Sequence, residues 1–194
     1  MEAQIMKVML IGAPGSGKST LARQLAQQTG WPLLALDRVW HAMDYSAAAK
    51  VHFITKQTQF MAAHQDWLID GNFTSTIPLR LASADLVVWL RVPSLVAPLR
   101  LVRRSLAFHH DPQSRPDMAP GFQEHLDRDY LDFLTYAVTF RSRVEPRLAA
   151  LLSAAPITTR IRIIQSASGK SALIGELTSL ASGQVPRRTS SVQQ

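Results

Sequence analysis

The sequence predicts an α/β fold: a parallel sheet with helices on both faces. Three observations predict it. Five short apolar runs alternate with stretches of helical period. The first run ends in a Gly/Pro loop of fixed pattern, and an amphipathic helix follows at once. Hydrophobic residues make up 46% of 194 residues, enough for the core of one domain.

The elements follow in order. Lys7-Val-Met-Leu-Ile11 is apolar throughout, as a strand buried on both faces would be. From Gly17 to Thr29 the pattern is helical, with Leu21, Ala22, Leu25 and Ala26 on one stripe. Gly30 stops this helix and Pro32 follows. Pro32 to Leu36 is a second short run, ending at Asp37. Ala47 to His64 reads as a helix of weaker pattern. Trp67-Leu-Ile69 is a third run and ends in the turn residues Asp70-Gly71-Asn72. Ala84 to Leu90 is the fourth strand. Ser94 to His109 reads as a helix, and a polar, Pro-containing stretch runs on to Gly121. Phe122 to Leu152 is helical, with a break near Pro146. Arg160 to Ile164 is the fifth strand, and Ala172 to Ala181 the last helix. Residues 1–182 read as one domain, and the polar segment 183–194 as a flexible tail. No repeat or low-complexity tract interrupts them.

Gly12-Ala13-Pro14-Gly15-Ser16-Gly17-Lys18-Ser19 fits G-x-x-x-x-G-K-[ST] at every fixed position, with strand before and helix after. Glycines let successive N–H groups turn towards phosphate oxygens, and the helix adds its positive end. Lys18 supplies a mobile charge between the β- and γ-phosphates. The Ser19 hydroxyl is a hard oxygen ligand suited to Mg²⁺. A second Gly-Lys-Ser, in Ser168 to Ser171, lacks the leading glycine, since Ile164 stands there. Ser166 to Ser171 reads as a polar turn before the last helix.

In an open parallel sheet, ligands bind beyond the carboxyl ends of the strands. Asp37 and Asp70 both fall there. One carboxylate would hold Mg²⁺, and the other would orient or deprotonate an acceptor hydroxyl. The blander alternatives are a helix N-cap for Asp37 and a plain Asp-Gly turn for Asp70. Asp85, at the start of a strand, reads as structural.

Lysine and arginine number 21 against 14 acids, a formal charge of +7, which suits a polyanionic partner. The excess is concentrated in Arg91, Arg100, Arg103, Arg104 and Arg115, with Asp111 as the opposing acid. That segment reads as a solvated helix face or as an anion-binding lid. Only Phe108 supplies an aromatic ring there, which argues against base stacking on single strands. The absence of cysteine excludes disulfides, thiolate zinc, iron–sulfur clusters and a cysteine nucleophile, and fits a cytoplasmic setting. Neither a signal peptide nor a membrane span is read. His109-His110-Asp111 reads as a solvated loop, Trp67 and Trp89 as core, and Trp40 as core or pocket wall.

The segments GAPGSGKSTLARQLA, TGWPLLALDRVW, WLIDGNF, LRLASADLVVWL and RPDMAPG together resemble the DNA topology modulation proteins, adenylate-kinase-like P-loop kinases. The resemblance spans about Lys7 to Leu148. It implies the P-loop NTPase kinase-type fold: a five-stranded sheet of order 2-3-1-4-5 with a small mobile helical lid, placed here at about 91–121. It also implies ATP or GTP with Mg²⁺. In that likeness Gly12 to Thr20 cradle the triphosphate: Gly12, Ala13, Pro14, Gly15, Ser16, Gly17, Lys18, Ser19 and Thr20. Asp37 lies near the acceptor, and Asp70 close to Mg²⁺ beside Ser19. Arg100 and Arg104 reach the transferring phosphate, and Arg115 is a lid contact. Adenylate kinases continue Asp-Gly with Phe-Pro-Arg, whereas Asn72-Phe73-Thr74 stand here, leaving Arg80 to replace the acceptor-binding arginine.

The expected activity is phosphoryl transfer from ATP to a small acceptor, such as a nucleotide or nucleoside. Two alternatives are a plain ATPase and a nucleotide-dependent regulatory or nucleic-acid-associated protein with little turnover.

Overall fold

The structure, a computed structural model, describes residues 6–93, 96–110 and 128–183. Five parallel strands form one sheet in the order β2-β3-β1-β4-β5. They are β1 (Lys7–Gly12), β2 (Leu33–Ala35), β3 (Trp67–Asp70), β4 (Leu86–Leu90) and β5 (Arg160–Ile164). The helices are α1 (Lys18–Thr29), α2 (Leu36–His41), α3 (Ala47–Ala63), α4 (Ile77–Leu81), α5 (Val96–His110), α6 (Arg128–Arg143), α7 (Glu145–Leu152) and α8 (Ala167–Ala181).

Alternation along β1 explains the layers. Val8 and Leu10 point to one face and join Leu21, Ala22 and Leu25 of α1 with Leu173, Ile174 and Leu177 of α8. Met9 and Ile11 point to the other and join Leu36, Phe53, Ile77, Phe140, Leu148 and Leu152. With both faces covered, the central strands are fully buried, which is why they read as unbroken apolar runs. Coverage ends at the edge. Ile161 and Ile163 of β5 remain 43% and 47% exposed, so one face of that strand is bare among the described residues.

Four boundaries differ from the sequence reading. β2 is three residues long, and Leu36 and Asp37 already belong to α2. A 3-10 turn (Thr74–Thr76) and α4 fill a stretch without helical period, because it is too short to show one. The break before α7 falls at Val144, ahead of Pro146, whose missing N–H is harmless in a first helical turn. The last helix begins five residues early, at Ala167. Ser166 caps it by accepting from the Gly169 N–H at 3.0 Å, so the expected polar turn 166–171 is helix. The helix α5 also runs through His109 and His110 and leaves them out of a loop. Residues 111–127, with most of the expected lid, and the tail from 184 lie outside the described residues. Among the described residues no helix is long and apolar enough to cross a membrane.

Candidate functional site

The order reverses at β1, whose neighbours are β3 and β4, and the phosphate-loop sequence leaves from that point. Gly12 has φ 146, and a Cβ there would lie 2.2 Å from the Leu90 carbonyl oxygen of β4. Only glycine lets the chain turn off the sheet so closely. Gly15 and Gly17 are left-handed, at φ 74 and 85, and the Ser16 N–H closes a turn onto the Ala13 carbonyl at 3.1 Å. Asn72 clamps the loop's start. Its side-chain oxygen accepts from the Gly12 N–H and its amide donates to the Gly12 carbonyl, both at 2.9 Å.

No side chain caps α1, and no acid occupies its first turn. Its leading N–H groups and positive end are thus left for an anion. Lys18 is buried at this terminus, 8% exposed. The Ser16 hydroxyl is buried without a hydrogen-bond partner among the described residues.

Ser19 and Asp70 line one pocket of about 210 Å³. Arg23, one turn beyond Ser19 on α1, lines it too, with Leu33 to Ala35 of β2 and with Arg38 and Val39 of α2. Asp70 ends β3 beside Leu10 of β1, which explains its 4% exposure. A serine hydroxyl and a buried carboxylate are hard oxygen donors, a set that fits Mg²⁺ retaining waters and phosphate oxygens. Asp37 lies in the first turn of α2, half-buried, where its charge favours the helix. It is not part of the pocket lining, to which its neighbour Arg38 belongs. Burial, with the Asp37 charge second, raises the Tyr136 phenol of α6 above the ordinary tyrosine range.

Arg80 does not replace the acceptor-binding arginine. It is fully buried and donates to the carbonyls of Gly71, Asn72, Phe73 and Thr76 at 2.8–3.3 Å. Burial pulls its guanidinium down to about 10, while the Asp70 charge holds it up. It therefore knits the turn that follows Asp70. That turn holds Phe73 at φ 30, a strained value for a side chain packed 4.7 Å from the Phe53 ring. Arg91 is also spoken for. It donates twice to Glu145 of α7, at 2.7 and 3.0 Å, and lies over the Trp89 ring.

Arg100 and Arg103 of α5 are both exposed; the Arg104 backbone lies in the same helix. Arg115 lies outside the described residues. Lys170 is the residue the sequence reading missed. Its ammonium donates to the Ser16 carbonyl at 2.8 Å, across 154 residues. Burial first, and then the Arg100 charge, lower it below the ordinary lysine range. The second Gly-Lys-Ser, at the start of a capped helix, was the available signal.

The switch-point loop, uncapped helix and 2-3-1-4-5 parallel sheet define a P-loop NTPase domain of the kinase-type fold. More narrowly, the chain belongs to the AAA domain family, whose model matches residues 8–150. No curated protein matches the sequence. Among solved structures it is similar to shikimate kinase from Acinetobacter baumannii in complex with shikimate, at 14% identity and TM-score 0.50, covering 92% of this chain and 94% of that one. A gluconokinase from Sinorhizobium meliloti 1021 aligns at 11% identity and TM-score 0.45, over 94% of each chain. Likeness at these identities is one of fold.

Proposed function

We propose that the protein transfers the γ-phosphoryl group of ATP to a hydroxyl of a compact, anion-bearing acceptor. The observation that carries this is the adjoining of two features at one sheet edge: an anion-ready phosphate loop, and a pocket shared by Ser19 and Asp70. The narrower likeness to DNA topology modulation proteins rests on the sequence segments and adds kinase chemistry, not DNA-strand chemistry.

Gly12 to Thr20 cradle the triphosphate in this reading, and Lys18 neutralises the β- and γ-phosphates. Ser19 and Asp70 would hold Mg²⁺, which when bound would offset charge on the transferring group. Asp37, next in sequence to the pocket-lining Arg38, is the carboxylate left to orient the acceptor hydroxyl or take its proton. Arg100 and Arg104, with Arg115 from the lid, bring positive charge to the transition state on closure and exclude water. At about 210 Å³ the pocket is below the roughly 300–1,000 Å³ of drug-sized clefts, which favours a compact acceptor over a nucleotide. Arg23 and Arg38 favour a carboxylate or phosphate on it. The shikimate kinase named above, of similar fold, holds the small molecule shikimate.

The test is ADP formation from Mg²⁺-ATP against a panel of hydroxy acids, sugar acids, sugar phosphates, neutral sugars, nucleosides and nucleoside monophosphates. Stimulation of at least about tenfold by a compact anion is expected. Full-rate hydrolysis without any acceptor would make the protein an ATPase. No turnover, together with binding to nucleic acid that collapses with salt, would make it a regulator.

A further inference from the structure

Two Gly-Lys-Ser segments from opposite ends of the chain meet in this fold. The central strand β1 delivers the first, and β5 delivers the second at the same edge of the sheet. Ser166 caps α8 through the Gly169 N–H, and this fixes the first turn in which Lys170 lies. Packing of α1 against α8, through Leu21 and Leu25 on one side and Leu173 and Leu177 on the other, holds the two helix starts in register. From there Lys170 reaches the Ser16 carbonyl, 2.8 Å away. Its ammonium stands 2.9 Å from where a Gly17 Cβ would be, so a side chain at position 17 would displace it.

A trans peptide is planar, and its C=O and the following N–H point in opposite directions. A Ser16 carbonyl turned towards Lys170 therefore turns the Gly17 N–H to the far side of the loop. We propose that Lys170 is a positioning residue of the phosphate loop: by holding the Ser16 carbonyl it presets the Gly17 amide for a phosphate oxygen of the nucleoside triphosphate. The contact also brings a second cation, beside Lys18, to this loop. This inference rests on the reading of Gly12 to Thr20 as the ATP site.

The experiment compares full-length wild type, Lys170→Met and Lys170→Arg by ATP titration and by steady-state kinetics on the acceptor found above. Lys170→Met is expected to weaken ATP binding about tenfold, or ~1.4 kcal/mol. KM for ATP should rise accordingly, with kcat at saturating ATP within about threefold of wild type. Lys170→Arg should restore most of the affinity, since it can still donate to the carbonyl. A merely structural lysine would leave the ATP affinity of the folded Met variant unchanged, and that result overturns the proposal. So does an Arg variant that binds ATP as poorly as the Met variant. If Lys170→Met does not fold, Lys170→Ala takes its place, and equal ATP affinity in the Ala and Arg variants overturns the proposal. A wild type that does not bind ATP removes the phosphate-loop reading itself. ATP binding in wild type that Lys170→Met leaves intact removes the clamp alone.

Discussion

Gly12, Asn72 and Arg80 decide whether the loop and the adjoining turn exist at all. Gly12→Ala places a Cβ 2.2 Å from the Leu90 carbonyl at a φ of 146 that alanine resists. We expect a loss of at least about 3 kcal/mol by urea unfolding, or no folded protein. Arg80→Met should cost on the order of 2–4 kcal/mol in the same measurement, because it leaves the Gly71, Asn72, Phe73 and Thr76 carbonyls without their donor. Little change in stability would return Arg80 to the acceptor site. Asp70 was legible as the end of an apolar run, whereas Asp37, which also follows one, lies in the first turn of α2. Arg80 was not legible, since an arginine in a sequence carries no sign of whether it points to a ligand or to carbonyls of its own turn. Lys170 has a related difficulty: the second Gly-Lys-Ser marks it, but its contact lies 154 residues away.

At the scale of elements, α5 carries the sharpest expectation. Leu101, Ser105 and Phe108 are its buried stripe. Arg100 and Arg104 are four apart, the spacing at which helix positions share a face, while Arg103 is a step of about 100° from Arg104. Replacing Arg100 or Arg104 by Ala should lower turnover about tenfold, or ~1.4 kcal/mol of transition-state stabilisation, and Arg103→Ala should do less. Equal and small effects from all three would make α5 a solvated basic helix. The α8 boundary shows why element ends were harder to read than elements. Gly169 and three serines look like a turn, yet Ser166 as N-cap converts them into a first helical turn. Ser166→Ala should cost about 1 kcal/mol in thermal or urea unfolding, while loss of much less than that would deny the cap its role.

The whole molecule explains why so much of the fold was readable. A parallel sheet covered on both sides writes itself as apolar runs between helices, and the glycine-rich loop marks the one strand at which order reverses. The pocket beside the loop was less readable because it is assembled from α1, β2, β3 and α2, each giving one to three residues. The charge of +7 is a property of the same scale. In the present account it is concentrated on phosphate, so Mg²⁺-ATP at a hundred times its Kd should stabilise the fold by about 2.7 kcal/mol in urea unfolding. The same concentration of adenosine should give much less, and equal stabilisation by adenosine would place the affinity away from the phosphates.

Phosphoryl transfer at the Gly12–Thr20 loop is the central claim, and following the label from γ-³²P-ATP into product tests it most directly. Wild type, Lys18→Ala and Asp37→Asn would be compared with the stimulating acceptor. The account predicts label on the acceptor with wild type. With Lys18→Ala it predicts transfer reduced at least about thirtyfold, in keeping with the 2–3 kcal/mol of a lost charge-assisted phosphate contact. It predicts reduced transfer with near-normal ATP binding for Asp37→Asn. Label that reaches only inorganic phosphate, or transfer that a folded Lys18→Ala leaves unchanged, would contradict it.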